Sequence, residues 1–355
     1  MSILFICFCH ALHELYSFFK CILARYIGMQ QGISGTSGTG RHIQMSMAFH
    51  LKGNQAAVPY IMYIAALLLF GSNGIVASRI HLESSQIILL RTMLGSLLLA
   101  AVAAAGKRAC SGIMSRRDFM YVALSGVSMG VSWMFQYEAY QLVGISITSL
   151  LYCLGPILIV VLAQLFLGER MTFLRALCLI AVSAGAVLTG GFSLTHGADA
   201  RGIACALLCA IAYAGMIMFS KKNRSIMGIR NSAIQLTFGF LTALAYCSVK
   251  WLSGSAWEIV PPDGDWIPVL ILGLVNTGFG CYLYFSGIPE IPAQTVAVCD
   301  YIEPLSAVVL AALVLGEKLT LMQYAGGVLI MAGIIVWNLF PAARRASVLT
   351  GPASA

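Results

Sequence analysis

The sequence predicts an all-α membrane protein, with ten transmembrane helices arranged as two inverted five-helix repeats. Three observations carry this expectation. Hydrophobic residues make up 59% of the chain and charged residues 10%, where soluble domains carry about 25% charge. With a mean hydropathy of +0.88, a water-soluble fold would leave far too much apolar area exposed. The apolar residues gather into runs of about 20, the length that crosses a bilayer as helix. The third observation is an internal repeat, which decides the architecture. Gly155 to Thr172 reads GPILIVVLAQLFLGERMT, and Glu303 to Thr320 reads EPLSAVVLAALVLGEKLT. Pro156 pairs with Pro304, Gly168 with Gly316, Glu169 with Glu317 and Thr172 with Thr320, each 148 residues apart. The same interval sets Gly130 on Gly278 and Ala184-Gly185 on Ala332-Gly333 without a gap.

The chain begins with an atypical extension, 1–50. Its apolar run from Ile3 to Leu23 is broken by His10, His13, Glu14 and Lys20. It has neither the basic flank nor the cleavage site of a signal peptide. A Gly/Ser/Thr-rich stretch follows to Gly40, the composition of a flexible linker. Either the extension is an accessory membrane-dipping segment, or translation starts at Met45 or Met47. The second is the expectation, because the repeat unit needs nothing before Ala56. Spans are then expected near 57–78, 85–105, 119–140, 146–167 and 173–190, forming the first repeat within 56–191. The second repeat, within 202–338, has spans near 202–220, 232–250, 266–287, 292–315 and 322–340. Residues 339–355 form a tail.

Local chemistry supports these limits. Pro59 falls in a first helical turn, where its missing N–H costs nothing, and Pro341 closes the last span. Gly168 and Gly316 suit the left-handed residue that ends a helix. Thr172 and Thr320 suit the N-cap of the next one. Glu169 and Glu317 are therefore read as parts of a tight structural turn near a helix start. The 11 cysteines show neither zinc spacing nor a paired framework, and they read as small apolar fillers.

Lysine and arginine set the orientation. Sixteen lie on the side of the termini, against Arg79, Arg201, Lys250 and Lys318 on the other, and Arg91 falls within a span. The excess puts both termini in the cytoplasm, so the net charge of +8 is a topology signal and implies no nucleic acid. Five spans per copy turn the second copy upside down, placing Glu169 in the cytoplasm and Glu317 outside. Inverted repeats of this kind are a mark of secondary transporters.

The pattern resembles the drug/metabolite transporter superfamily, and within it the EamA-like family. The likeness rests on Pro156 with Gly168-Glu169, Pro304 with Gly316-Glu317, Arg91 in the second span and the Ala-Gly pairs at 184–185 and 332–333. It covers roughly Ala56 to Asn338. The resemblance implies a ten-helix fold around a central cavity that moves amino acids, other metabolites or drugs across a cell or inner membrane. Export is implied by the family alone, and an uptake permease is the runner-up.

Ionisable groups inside a membrane are functional candidates by default. Proline displaces the carbonyl four residues earlier, which points to Tyr152 and Asp300 as free acceptors near mid-membrane. Asp300 and Glu303 are three apart and are expected on one helical face. Two carboxylates in such a site suit protons as the coupling ion. The alternative is that Arg91 neutralises one of them as a structural ion pair. Asn73 and Asn276 interrupt the first and eighth spans, as substrate contacts or as packing hydrogen bonds. Trp133, Tyr137 and Tyr140 recur along the third span, and the first two lie deep enough to line a cavity. Glu138, near the end of that span, is the weaker acidic candidate.

The histidines form no metal constellation, and no cofactor, catalytic group or enzyme activity is expected. The expected partners are a small-molecule substrate, lipid and protons. Two other classes compete. An intramembrane lipid-modifying enzyme would need a catalytic cluster at one membrane face. A non-transporting scaffold would not need buried Asp300 and Glu303.

Overall fold

The computed structural model describes residues 57–105, 115–190, 199–253, 260–262, 264–316 and 320–340. All regular structure among them is helical. In chain order the elements are α1 (Ala57–Ala77), α2 (Ser84–Ala105), α3 (Arg116–Tyr152), α4 (Leu154–Leu167), α5 (Phe173–Gly190), α6 (Ala200–Lys222) and α7 (Gly228–Leu252). They are followed by α8 (Trp266–Glu290), α9 (Ala293–Val314) and α10 (Leu321–Leu339). Eight helices among the described residues are long and apolar enough to cross a membrane, with Ile147–Leu167 counted as one of them. The chain is an integral, multi-pass membrane protein. The extension at 1–50, Glu317 and the tail beyond residue 340 lie outside the described residues.

Helix limits follow the punctuation in the sequence. Gly168 and Gly316 end α4 and α9 with φ of 65° and 71°, the left-handed conformation that glycine adopts without a Cβ penalty. Thr320 accepts from the Gln323 amide and Gln323 reaches back, closing a capping box on α10. Thr172 takes the Arg175 amide at 3.3 Å in the matching place. The continuous helix α3 is broken inside at Gly144, with φ 79° and ψ 169°, a region open essentially to glycine. The repeat interval sets Gly144 on Pro292, which has φ −53° and ψ 141° before α9. Two different residues thus bend the chain at corresponding points.

Small residues let the helices approach closely, because lipid supplies no hydrophobic drive between them. A Cβ on Gly326 of α10 would lie 2.6 Å from the carbonyl oxygen of Gly185 of α5, and one on Gly333 would lie 2.6 Å from Val182. These contacts run in opposite chain directions, so the repeat mates α5 and α10 are antiparallel. Buried polar groups supply further links. Ser125 of α3 donates to the Met216 carbonyl of α6 at 2.8 Å and contacts Gln235 of α7. Gln235 donates to Asn231 at 2.9 Å, and Asn231 donates to the Phe285 carbonyl of α8 at 3.0 Å. Each member satisfies the next, as a desolvated network requires.

Between α1 and α2, the His81 amide donates to Asp265 at 2.6 Å, and the two side chains approach to 3.1 Å. The His81 amide, followed by its ring, holds the Asp265 carboxyl below the usual carboxylate range. This ties the first connection to the start of α8.

Candidate functional site

Breaks in four helices converge on one cavity of about 550 Å³. α1 is interrupted by a turn at Ser72, and α8 widens into a π-helical stretch over Ile271–Phe279. Such stretches often occur at functional sites. The fourth span breaks at Cys153 between Tyr152 and Leu154. α9 breaks at Asp300–Tyr301 between Ala293–Cys299 and Ile302–Leu310. The last two breaks face each other. The Tyr301 hydroxyl donates to the Cys153 carbonyl at 3.1 Å and lies 2.8 Å from Ser183. Cys153 and Tyr301 are themselves one repeat interval apart, so the copies meet at equivalent points.

Of the residues singled out in the sequence, Glu303, Arg91, Tyr152, Asn73, Trp133, Tyr137 and Asn276 all line this cavity, as do Pro156 and Pro304. Arg91 carries its guanidinium over the Trp133 ring, 4.3 Å from the centroid. Its Nε is buried without a partner. Among the described residues neither Arg91 nor Glu303 belongs to an ion pair within 4.0 Å. The structural pair considered for Arg91 is therefore absent there. Asn276 donates to Asn73 at 2.9 Å and to Ser72 at 2.8 Å, so both readings of these amides meet in one place. They tie α1 to α8 and also form cavity wall.

Asp300 occupies a different position. It is 9% exposed and accepts from the hydroxyls of Tyr63 and Tyr213, while Tyr284 lies 3.3 Å from the Tyr213 hydroxyl. Tyr63 stacks on Tyr284 with centroids 5.1 Å apart. Asp300 does not line the cavity; Glu303 does. The shared helical face expected of them is lost because the helix breaks between them. Nor is the Asp300 carbonyl left free by Pro304, because the Glu303 amide donates to it at 3.1 Å. The chain recovers the lost bond by a tighter i→i−3 turn.

Glu138 pairs with Lys250 at 2.6 Å and accepts from Tyr246, away from the cavity lining. Glu169 does more than turn the chain. Its two carboxylate oxygens take the amides of Ala293 at 2.7 Å and Gln294 at 3.0 Å, capping the first turn of α9 from the other half of the molecule. Gln294 also receives Arg175 at 3.4 Å, and Lys221 donates to the carbonyls of Ile288 and Ile291. Sequence reasoning missed Tyr63, Tyr213 and Tyr284. They lie on three separate apolar helices, Tyr63 and Tyr284 each with a second tyrosine nearby, and no spacing marks their convergence.

A bundle of membrane-crossing helices whose broken segments enclose a polar, aromatic-walled cavity is the architecture of a small-molecule membrane transporter. The chain belongs to the EamA-like transporter family, whose profile matches residues 58–191 and again 200–339; the drug/metabolite transporter superfamily fits as well. Similar proteins include the uncharacterized transporter YxxF of Bacillus subtilis, 22% identical over 80% of this chain and 90% of that protein. The riboflavin transporter ImpX of Fusobacterium nucleatum is 26% identical over 61% of this chain and 74% of its own length. The chloramphenicol-sensitive protein RarD of Pseudomonas aeruginosa is 27% identical over 48% and 53%. One solved crystal structure superposes with a TM-score of 0.66 at 20% identity, covering 79% of this chain and 97% of that one; that likeness concerns the fold.

Proposed function

We propose that the chain is a secondary active transporter of small organic metabolites that works by alternating access and exports in exchange for protons. The observation that carries this reading is the cavity itself. Among the described residues Arg91 and Glu303 face it without an ion pair, inside a bundle of membrane-crossing helices where unpaired charge is expensive and therefore functional. In this reading ten helices cross a cell membrane as two inverted five-helix repeats. The family profile matching the chain twice and the antiparallel contact of repeat mates α5 and α10 support the inversion.

With both termini in the cytoplasm, the cavity opens outward, since Ala77 and Ser84 at its rim flank an external connection. On the cytoplasmic side two layers close it, the tyrosines around Asp300 and, nearer the surface, Glu169 with Lys221. Coupling follows from exclusion. A carboxylate holding a proton cannot at the same time pair with a cationic group of the substrate, so Glu303, with Asp300 behind it, exchanges one for the other.

The test is transport in proteoliposomes from a mixed metabolite panel, with and without a pH gradient of either sign. Accumulation driven by an opposing proton gradient is expected. Uniformly absent transport would favour a scaffold, and accumulation along the proton flow would favour an uptake permease.

A further inference from the structure

We infer that Tyr213 relays protons between the cavity and Asp300, because among the described residues it is the phenol that both lines the cavity and bonds the buried carboxylate. This rests on the proton-coupled reading and adds the route by which the proton travels. The first support is position. Asp300 accepts from two hydroxyls, Tyr63 of α1 and Tyr213 of α6. Tyr63 is 1% exposed and stands off the cavity. Tyr213 lines it, as does Tyr284 of α8, whose hydroxyl lies 3.3 Å from that of Tyr213. The carboxylate itself does not reach the cavity, so a proton arriving from there needs a group that touches both.

The neighbouring groups do not offer that contact. Glu303 lines the cavity but acts on Asp300 across space, and no hydrogen bond joins the two carboxyls. Tyr301 turns its hydroxyl to the Cys153 carbonyl at 3.1 Å and to Ser183 at 2.8 Å. Tyr152 and Cys299 are the other titratable groups within electrostatic reach of Asp300, and neither bonds it.

The second support is the seating of the Tyr213 ring. It lies against Tyr152 with centroids 5.2 Å apart. A Cβ on Gly155 would come within 2.8 Å of its Cδ1, so glycine leaves the ring this room at the position whose repeat mate is Glu303. A ring so held keeps its hydroxyl on the carboxylate. A phenol hydroxyl donates and accepts at once, so transfer needs no movement of the ring. Hydronium in the cavity gives a proton to the phenol oxygen as the phenol O–H bond breaks toward Asp300. Water is left behind, the phenol is restored and the carboxylate becomes neutral. Tyr63 donates to the same carboxylate but has no cavity side from which to regain a proton.

The experiment uses the proton itself as probe. The full-length protein in lipid is given a pH jump, and infrared absorption follows the carboxyl band of Asp300, identified by its loss in Asp300→Asn. Tyr213→Phe and Tyr63→Phe each remove one hydrogen bond to the carboxylate, so both should move the titration midpoint by similar amounts. Only Tyr213→Phe should also slow the approach to equilibrium, by about 100-fold, the contribution of a positioned proton-transfer group. An unslowed Tyr213→Phe overturns the relay, as does equal slowing in Tyr63→Phe. If Tyr213→Phe fails to fold, fluorotyrosine at position 213 keeps the ring and hydroxyl while making the hydroxyl more acidic. Its rate should differ from that of the wild type, and an identical rate overturns the relay. Transport of the metabolite panel under a pH gradient is measured in parallel. Slowed protonation in Tyr213→Phe with no pH-driven accumulation in the wild type leaves the relay and overturns proton coupling. Unslowed protonation with wild-type accumulation intact overturns the relay and leaves proton coupling standing. Absence of any carboxyl band lost in Asp300→Asn overturns the relay and removes Asp300 from the coupling path.

Discussion

Glu169→Ala isolates one contact between the two halves. The carboxylate accepts the amides of Ala293 and Gln294 at 2.7 and 3.0 Å, at a helix start where negative charge is favourable. A hydrogen bond to a charged group contributes about 1.5–3 kcal/mol. Glu169 is half-buried, so water screens it and the lower end applies. Two such bonds then hold the first turn of α9 by about 3 kcal/mol, which is about 100-fold in a local opening equilibrium. Pro292 just before cannot compensate, because its side chain carries no oxygen to accept the freed amides. The assay is amide hydrogen exchange of the 288–299 segment in micelles, read by mass spectrometry with the extension intact. Exchange at Ala293 and Gln294 is expected to quicken about 100-fold in Glu169→Ala and about tenfold in Glu169→Gln, whose amide keeps one acceptor oxygen. The lower the barrier at this end, the more the cavity should become accessible to a membrane-impermeant reagent from the same side. Exchange within threefold of wild type in Glu169→Ala would refute the reasoning and return Glu169 to a plain turn residue.

Asp300→Asn keeps an oxygen for one of the Tyr63 and Tyr213 hydroxyls and cannot exchange a proton. It should abolish pH-driven accumulation while substrate counterflow persists, and undiminished accumulation would remove Asp300 from the coupling path. Gly326→Val would drive side-chain carbon into the Gly185 carbonyl, already 2.6 Å from a Cβ position. Overpacking of this kind costs about 1–3 kcal/mol and should lower the unfolding temperature in detergent. For Asp265 the folded carboxyl lies below its ordinary range, so its contact with His81 contributes stability above the ordinary value of about 3.9 and loses it as pH falls through the lowered folded value. The stability difference between wild type and Asp265→Asn should therefore be constant near neutrality and close only in strong acid, as calorimetry over pH can check. Reporter fusions at Arg224 and Arg344 should report cytoplasm and one at Asp263 the outside. Reversed signals would overturn the orientation drawn from charge.

Much of the molecule was legible in the chain. Composition decides the solvent, because 10% charge cannot cover a soluble surface. The 148-residue interval gives the repeat directly, and helix ends at Gly168, Gly316 and Thr320 follow from φ preference and capping, which are properties of a few adjacent residues. Residue type also marks Arg91, Glu303, Asn73 and Asn276, because polar groups are costly in a bilayer wherever the fold puts them.

What tertiary structure alone decides is which of these groups meet. Asp300 and Glu303 are three residues apart, yet a backbone break sends one to the tyrosine cluster and the other to the cavity. Among the described residues Arg91 makes no ion pair, and its guanidinium rests on Trp133, 42 positions further along the chain. Glu169 reaches the start of α9 only because the helix that ends at Gly168 packs against Ala293–Cys299 from the other half of the chain. Tyr63, Tyr213 and Tyr284 converge from three helices, each looking like ordinary apolar packing. Local sequence carries propensities and periods, while a distance between side chains from different helices depends on every crossing angle between them. Those crossings are fixed by small-residue contacts and buried hydrogen bonds distributed over the whole bundle.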